Sequence, residues 1–228
     1  MSDNRPVIAI LGGTGDLGGG LAYRWARAGY PVIIGSRTAD KAEAAAAALT
    51  VAEGAPPVRG MDNVAAATAC EIAVLTVPFA NQKATLEAVR AALRDKILVD
   101  VTVPLMPPKV ARVQLPPEGS AGLAAQAILG DGVSVVSAFQ NVGASHLRED
   151  HPVDCDVLVS GDKLAAREQV IALVEAAGMR GWHAGPLANS VAAEALTSIL
   201  IGINKRYQID GAGIRITGKP GNPSGKTG

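Results

Sequence analysis

The run Gly12-Gly13-Thr14-Gly15-Asp16-Leu17-Gly18 follows the apolar segment Val7-Ile8-Ala9-Ile10-Leu11 and opens a helix expected over residues 17–27. Within it, Gly13-x-Gly15-x-x-Gly18 has the spacing and the strand–turn–helix setting of a dinucleotide-binding fingerprint. Gly13 allows the tight turn, Gly15 lets the backbone approach a pyrophosphate, and Gly18 lets the helix pack close to the strand. The helix N-terminus adds free N–H groups and the positive end of a dipole. Gly13, Thr14, Gly15, Asp16 and Leu17 are therefore candidate cofactor-binding residues. The next strand, Val32-Ile33-Ile34, ends in Gly35-Ser36-Arg37. A site for NAD places an acid near that strand end to hold the ribose 2′-hydroxyl, whereas a serine–arginine pair suits a 2′-phosphate. The predicted cofactor is NADP(H), with Ser36 and Arg37 on the phosphate. Lys41, one helical turn further on, is either a third phosphate ligand or a solvated helix lysine.

Strand-like and helix-like segments alternate as far as residue 139, which argues for a parallel sheet covered on both faces. Strands are expected at 7–11, 32–34, 72–77, 97–103 and 133–139, and helices at 17–27, 38–49, 62–69, 82–93 and 120–129. Gly60-Met61 reads as a turn, and Asp62 as the cap of the helix after it. Residues 72–77 are continuously apolar, the mark of a strand buried on both faces. The prolines between 104 and 117 make 105–119 an irregular loop. A second loop is expected over 140–152, then a strand at 157–161 and a helix at 164–177. The longest helix is expected over 186–207. It is apolar on most faces between Val191 and Ile203, so burial all round is expected, partly against a second subunit. Residues 211–218 are strand-like, and 219–228 are expected to be disordered. The fold class is thus α/β: a Rossmann-type doubly wound parallel sheet with a smaller C-terminal α/β part. Residues 1–139 are read as the NADP-binding domain, and 140–218 as the substrate and dimerisation part.

Among 228 residues, Lys plus Arg and Asp plus Glu number 21 each, which removes any general attraction to nucleic acid or an anionic membrane. No leader precedes Val7, and no unbroken apolar run approaches the roughly 18 residues of a membrane span. A cytoplasmic protein with a small-molecule substrate is expected. Cys70 and Cys155 lack the spacing of a zinc or redox pair and read as buried free thiols. His146, His151 and His183 are isolated in sequence, so no histidine metal site is expected. Aromatics make up only 3% of the chain, and Trp25 reads as packing on the first helix.

No serine, cysteine or carboxylate constellation for nucleophilic catalysis is visible, and no catalytic residue is assigned. Asp100 lies in a strand, where a charge needs a partner, and it is expected to organise the turn at Thr102-Val103-Pro104. Gln140 and Asn141 either orient an amide or carbonyl of a ring or satisfy loop backbone.

The motifs Gly12-Gly13-Thr14-Gly15, Gly35-Ser36-Arg37, Val77-Pro78-Phe79, Asp100-Val101-x-Val103-Pro104, Ala138-Phe139-x-Asn141-Val142, Cys155-Asp156-Val157-Leu158-Val159, Gly185-Pro186-Leu187 and Gly213-Ile214-x-Ile216 occur in this order. In this order and spacing the chain resembles the NADPH-dependent reductases of the deazaflavin coenzyme F420. That resemblance implies a homodimer and hydride transfer between NADP(H) and the deazaflavin. It places Thr14, Ser36, Arg37 and Lys41 on the adenosine and its 2′-phosphate, and Leu75, Thr76, Val77 and Pro78 along the path to the nicotinamide. It sets Gln140, Asn141 and Val142, with Gly185-Pro186-Leu187, beside the second ring. Gln140 stands where the family often has His. Two other functions fit the residues: reduction of another planar heterocycle or an imine, such as a pterin or pyrroline, and NADP(H) sensing without turnover.

Overall fold

The structure is a computed structural model that describes residues 5–50, 54–149 and 151–218. Its strands are β1 (Ile8–Leu11), β2 (Val32–Ser36), β3 (Arg59–Asp62), β4 (Ile72–Leu75), β5 (Ile97–Asp100), β6 (Ser134–Ser137), β7 (Asp156–Gly161) and β8 (Arg180–His183). Its helices are α1 (Asp16–Arg27), α2 (Ala39–Ala47), α3 (Asn63–Ala69), α4 (Phe79–Val89), α5 (Ala121–Leu129), α6 (Leu164–Ala176) and α7 (Ser190–Tyr207). The strands form one sheet in the order β3-β2-β1-β4-β5-β6-β7-β8. The chain leaves β1 on one side for β2 and β3, then crosses back to β4 on the other. In a doubly wound sheet, ligands bind at that reversal, outside the carboxyl ends of the strands. All neighbours run parallel except β6 and β7, which are antiparallel.

Strand alternation divides the core. Ile8 and Ile10 face α1, where they join Leu21 and Trp25; Ala9 and Leu11 face the opposite side with Leu86 and Val89 of α4. Trp25 is packing, as expected. Its indole nitrogen donates to the Leu173 carbonyl at 2.8 Å, and its ring meets Phe139 edge-on at 5.8 Å. Cys70 and Cys155 are buried free thiols.

Several elements differ from expectation. Gly60-Met61 is not a turn but the middle of β3. A Cβ on Gly60 would lie 2.2 Å from the backbone nitrogen of Glu43, so glycine here lets α2 lie directly on the strand. β8 has no counterpart in the sequence reading: Arg180-Gly181-Trp182-His183 carries no β-branched residue and lies at the sheet edge. Residues 211–218 form no strand; they run beside Asp156, whose nitrogen donates to the Ile214 carbonyl at 2.8 Å and whose carboxylate accepts from Ile216 N at 2.7 Å. The expectation for 219–228 lies outside the described residues.

The long helix is not buried all round within one chain. Ser190, Ala193, Glu194, Ser198 and Leu200 are buried, while Ile199 is 50% exposed. With the 3₁₀ turn before it, Leu187–Tyr207 has a mean hydropathy of 1.3, and among the described residues it is the one helix long and apolar enough to cross a membrane by length and composition. Its buried face, however, carries Ser190 and Glu194, which bond to Ser120 and to the first residues of α5.

Candidate dinucleotide and hydride-transfer site

The glycine turn sits at the carboxyl ends of β1 and β4. Gly12 has φ +74°, and a Cβ there would lie 2.4 Å from Val77 Cγ1. The nitrogen of Gly13 donates to the carbonyls of Ile10 (3.1 Å) and Gly35 (3.0 Å), closing the turn. A Cβ on Gly18 would lie 2.7 Å from both Gly13 Cα and Thr76 Oγ1, so α1 rests directly on the turn. Gly15 is different: nothing lies within 4 Å of the position its Cβ would take. It is the N-cap of α1, and no side chain caps that helix. The first-turn N–H groups have no intrahelical acceptor, and the backbone in front of them is open. This cradle fits a pyrophosphate.

A cleft of about 570 Å³ opens from this turn and is lined by Gly12, Thr14, Ser36, Arg37, Lys41, Val77 and Pro78, together with Asp62, Asn63, Asn81 and Thr85. Arg37 and Lys41 are exposed, and they flank the start of α2, whose N-cap Thr38 makes no side-chain capping bond. Two cations and an uncapped helix end favour an anion. Asp62 is engaged elsewhere: its Oδ1 accepts from Val64 N and Ala65 N at 2.9 Å each, capping α3. Asn63 was not anticipated. Its Oδ1 accepts from Gly12 N at 3.2 Å and so ties the glycine turn to α3. Thr76 stands beneath the cleft, its hydroxyl donating to the Leu11 carbonyl at 3.1 Å. Asp16 is exposed in the first turn of α1, and Leu17 is half-buried against the core.

Gln140, Asn141 and Val142 are not brought into this cleft. Gln140 Nε2 donates to the Asp100 carbonyl (2.9 Å) and Ser137 Oγ (2.8 Å), and its buried Oε1 has no partner. Asn141 Nδ2 donates to the Ala193 carbonyl (2.8 Å) and Thr197 Oγ1 (3.2 Å) of α7. Val142 packs against the core. The Asn141 amide thus holds α7 against the end of β6, while the Gln140 amide ties the ends of β5 and β6 together.

Beside them lies a buried polar cluster. Asp100 accepts from Thr102 N (2.9 Å), Thr102 Oγ1 (2.6 Å) and Gln82 Nε2 (2.6 Å), which builds the turn after β5 as expected. Burial nonetheless pushes its carboxyl up to about 6. Glu194 of α7 accepts from Ala121 N (2.6 Å) and Gly122 N (3.0 Å), and so caps α5 from a distant part of the chain. Burial, aided by the charge of Asp100, raises it to about 7 against the pull of those amides. Gln82 and Glu194 were missed from sequence. Glu194 alone left a signal, as the one charge inside an otherwise apolar helical run. Sequence spacing also hid one meeting of side chains: His146 and His151 converge on Glu149 beside α1, outside the cleft.

Residues 7–104 match the family described as NADP oxidoreductase, coenzyme F420-dependent. The chain is 42% identical over 221 residues to the F420-dependent NADP reductase of Methanothermobacter thermautotrophicus, covering 93% of this chain and 95% of that protein. It is 41% identical to the F420-dependent NADP reductase of Methanocaldococcus jannaschii, covering 92% and 97% of the two chains. Among solved structures, a protein from Arthrobacter sp. FB24 assigned as an F420-dependent NADP reductase superposes with a TM-score of 0.79 at 27% identity, covering 93% and 99%.

Proposed function

The chain belongs to the F420-dependent NADP reductase family, and from that premise we propose how its residues carry out the reaction. The enzyme transfers a hydride between NADP(H) and the deazaflavin coenzyme F420. When both are bound, they would supply the chemistry, a hydride passing between a ring carbon of each. The protein's part is orientation, which can lower a barrier steeply without any nucleophile or metal.

The open cradle at Gly15 carries this reading, because it leaves the uncapped end of α1 facing free space at the sheet's reversal point. We place the pyrophosphate there, against Gly13, Thr14, Gly15, Asp16 and Leu17. Ser36, Arg37 and Lys41 take the adenosine 2′-phosphate. Thr76, Val77 and Pro78 form the wall along which the nicotinamide lies, with Val77 pressed onto Gly12. Gln140 and Asn141 support the second half of the site as positioning residues, through their bonds to β5, β6 and α7. On this division, residues 1–139 bind NADP and residues 140–218 complete the deazaflavin side.

We further place the enzyme in the cytoplasm as a homodimer. Two buried free thiols suit a reducing compartment, and the half-exposed Ile199 on α7 suits a covered face. Absorbance with NADPH and oxidised deazaflavin tests the reaction. Bleaching of the deazaflavin band is expected. NADPH binding without bleaching, or turnover of a pterin or cyclic imine in its place, overturns the assignment.

A further inference from the structure

Gly19 and Gly20 make one side of α1 flat, and a 3₁₀ turn, Ala144–Arg148, lies on it. A Cβ on Gly20 would come within 2.5 Å of Leu147 Cβ, and one on Gly19 within 2.6 Å of Arg148 Nη2. Arg24 of the same helix fixes the chain that follows. Its Nε donates to the Leu147 carbonyl at 2.8 Å, and its Nη2 reaches the carbonyls of His146 (2.9 Å), Glu149 (2.6 Å) and His151 (2.9 Å). One buried guanidinium therefore holds the backbone of two histidines and a glutamate.

Their side chains converge. His146 Nδ1 lies 4.0 Å from Glu149 Oε2, His151 Nε2 contacts the same oxygen, and the three atoms lie within 4.8 Å of one another. The far side of each ring carries a second, independent observation. His146 Nε2 is 2.8 Å from the Asp210 carbonyl, and His151 Nδ1 is 2.9 Å from the Pro152 carbonyl. A carbonyl only accepts, so both of these nitrogens carry hydrogen. His151 Nε2 also donates to Glu149 Oε2, so an ion bound here takes the place of the hydrogen shared between them, while His146 Nδ1, 4.0 Å from that oxygen, is the second ring nitrogen facing the cluster. A carbonyl on the non-ligating nitrogen is the usual support of a metal-bound histidine. The ion pair of His151 with Glu149 leaves one ring unexplained: His146, its Nε2 already on the Asp210 carbonyl, turns Nδ1 towards the same carboxylate at 4.0 Å, too far for a hydrogen bond.

We propose that His146, Glu149 and His151 bind a divalent transition-metal ion of the zinc type, with water completing the coordination. Two imidazoles and a carboxylate are a ligand set for Zn(II), whose bonds of about 2.0–2.2 Å set tetrahedral ligand atoms roughly 3.4 Å apart. Small side-chain rotations close the cluster to that size. Side-chain exposures of 28%, 53% and 55% leave it reachable from solvent. The ion ties together the segment whose backbone Arg24 holds on α1, and none of its three ligands lines the cleft.

The test uses untagged, chelator-treated full-length protein, titrated with Zn(II) by calorimetry and with Co(II) by visible absorption. One equivalent of Zn(II) is expected to bind and to raise the melting temperature, and Co(II) is expected to develop the bands of a low-symmetry site. His146→Ala, His151→Ala and the near-isosteric Glu149→Gln should each weaken Zn(II) at least tenfold, while His183→Ala leaves it unchanged. NADPH affinity checks the fold of each variant, since the cleft uses other residues. Absence of saturable binding below millimolar Zn(II), or equal affinity in Glu149→Gln and the parent, overturns the proposal.

Discussion

The carboxylate of Glu194 lies 2.6 Å from the backbone nitrogen of Ala121, the first residue of α5. With its other oxygen on Gly122 N, it satisfies two donors that α5 cannot satisfy itself. Glu194→Ala leaves both N–H groups buried beside a cavity. Each unsatisfied buried donor costs about 1–3 kcal/mol, so a loss of roughly 2 kcal/mol or more is expected. Urea unfolding measures it, and a midpoint unchanged from the parent would show that water replaces the carboxylate without cost.

Glu194 and Asp100 together set a pH dependence. Asp100 moves up from 3.8 to about 6, and Glu194 from 4.5 to about 7, both chiefly through burial. The folded chain therefore holds protons that the unfolded chain has already released, and stability falls as pH rises. The favourable contribution is complete below the ordinary carboxylate values and is lost as pH climbs through the raised ones. Unfolding free energy measured from pH 4.5 to 7.5 (roughly the span of these values) should slope downward. The slope should be shallower in Glu194→Ala; an identical slope in both proteins would assign the dependence to other groups.

Gly15 and Gly18 are three residues apart and should answer differently to alanine. At Gly18 the new Cβ meets Gly13 Cα and Thr76 Oγ1 at 2.7 Å, and the Gly13 backbone cannot yield. Overpacking of this kind costs about 1–3 kcal/mol, and NADPH affinity should fall with stability. At Gly15 the Cβ meets nothing, and φ −85° is open to any residue. Gly15→Ala should melt within a degree or two of the parent, the shift of a few tenths of a kcal/mol, yet bind NADPH at least tenfold more weakly. Intact NADPH affinity in Gly15→Ala would move the pyrophosphate away from this turn.

What was legible in the sequence follows from what is local. The glycine turn shows itself because the backbone there tolerates no side chain, and β1 and β4 because strands buried on both faces carry unbroken apolar runs. Asp62 announces its helix because a cap acts on residues two and three positions away. Asn63 gives no such sign, since its acceptor role joins it to Gly12 across 51 residues. Glu194 is conspicuous in its own helix, but its partners are 72 and 73 residues distant. Gln140 and Asn141 were open between ring contact and backbone support, because an amide serves both and only tertiary structure shows which groups stand opposite. β8 is hidden for another reason. An edge strand of mixed polarity has neither the alternation nor the continuous apolar run that marks a strand.

Arg37 should decide between the two nicotinamide cofactors. It is exposed at the mouth of the cleft beside Ser36 and Lys41, and no acid occupies the end of β2. A charge-assisted bond to phosphate is worth about 1.5–3 kcal/mol, so Arg37→Ala should weaken NADPH roughly tenfold or more and leave NADH nearly unchanged. Lys41→Ala should act in the same sense with a smaller loss, as a mobile point charge. Fluorescence titration with both cofactors reads the difference. Equal losses for NADPH and NADH would show that Arg37 does not read the 2′-phosphate.

The outer face of α7 bears on assembly. Leu196, Ile199 and Ile203 follow one another at helical spacing, with Leu196 and Ile203 half-buried and Ile199 50% exposed. Glu194 and Ser198 turn the opposite way into the protein, so the apolar stripe is left without a full cover among the described residues. A charge placed in its middle should separate two subunits packed across it, because an unpaired buried carboxylate costs several kcal/mol. Ile199→Glu is expected to halve the mass measured by light scattering at micromolar concentration, with α7 itself still anchored through Asn141 and Glu194. The parent should sediment as a dimer across the same range. A parent protein that is monomeric and stable at high dilution would end the dimer proposal, and a dimer untouched by Ile199→Glu would move the interface off this helix.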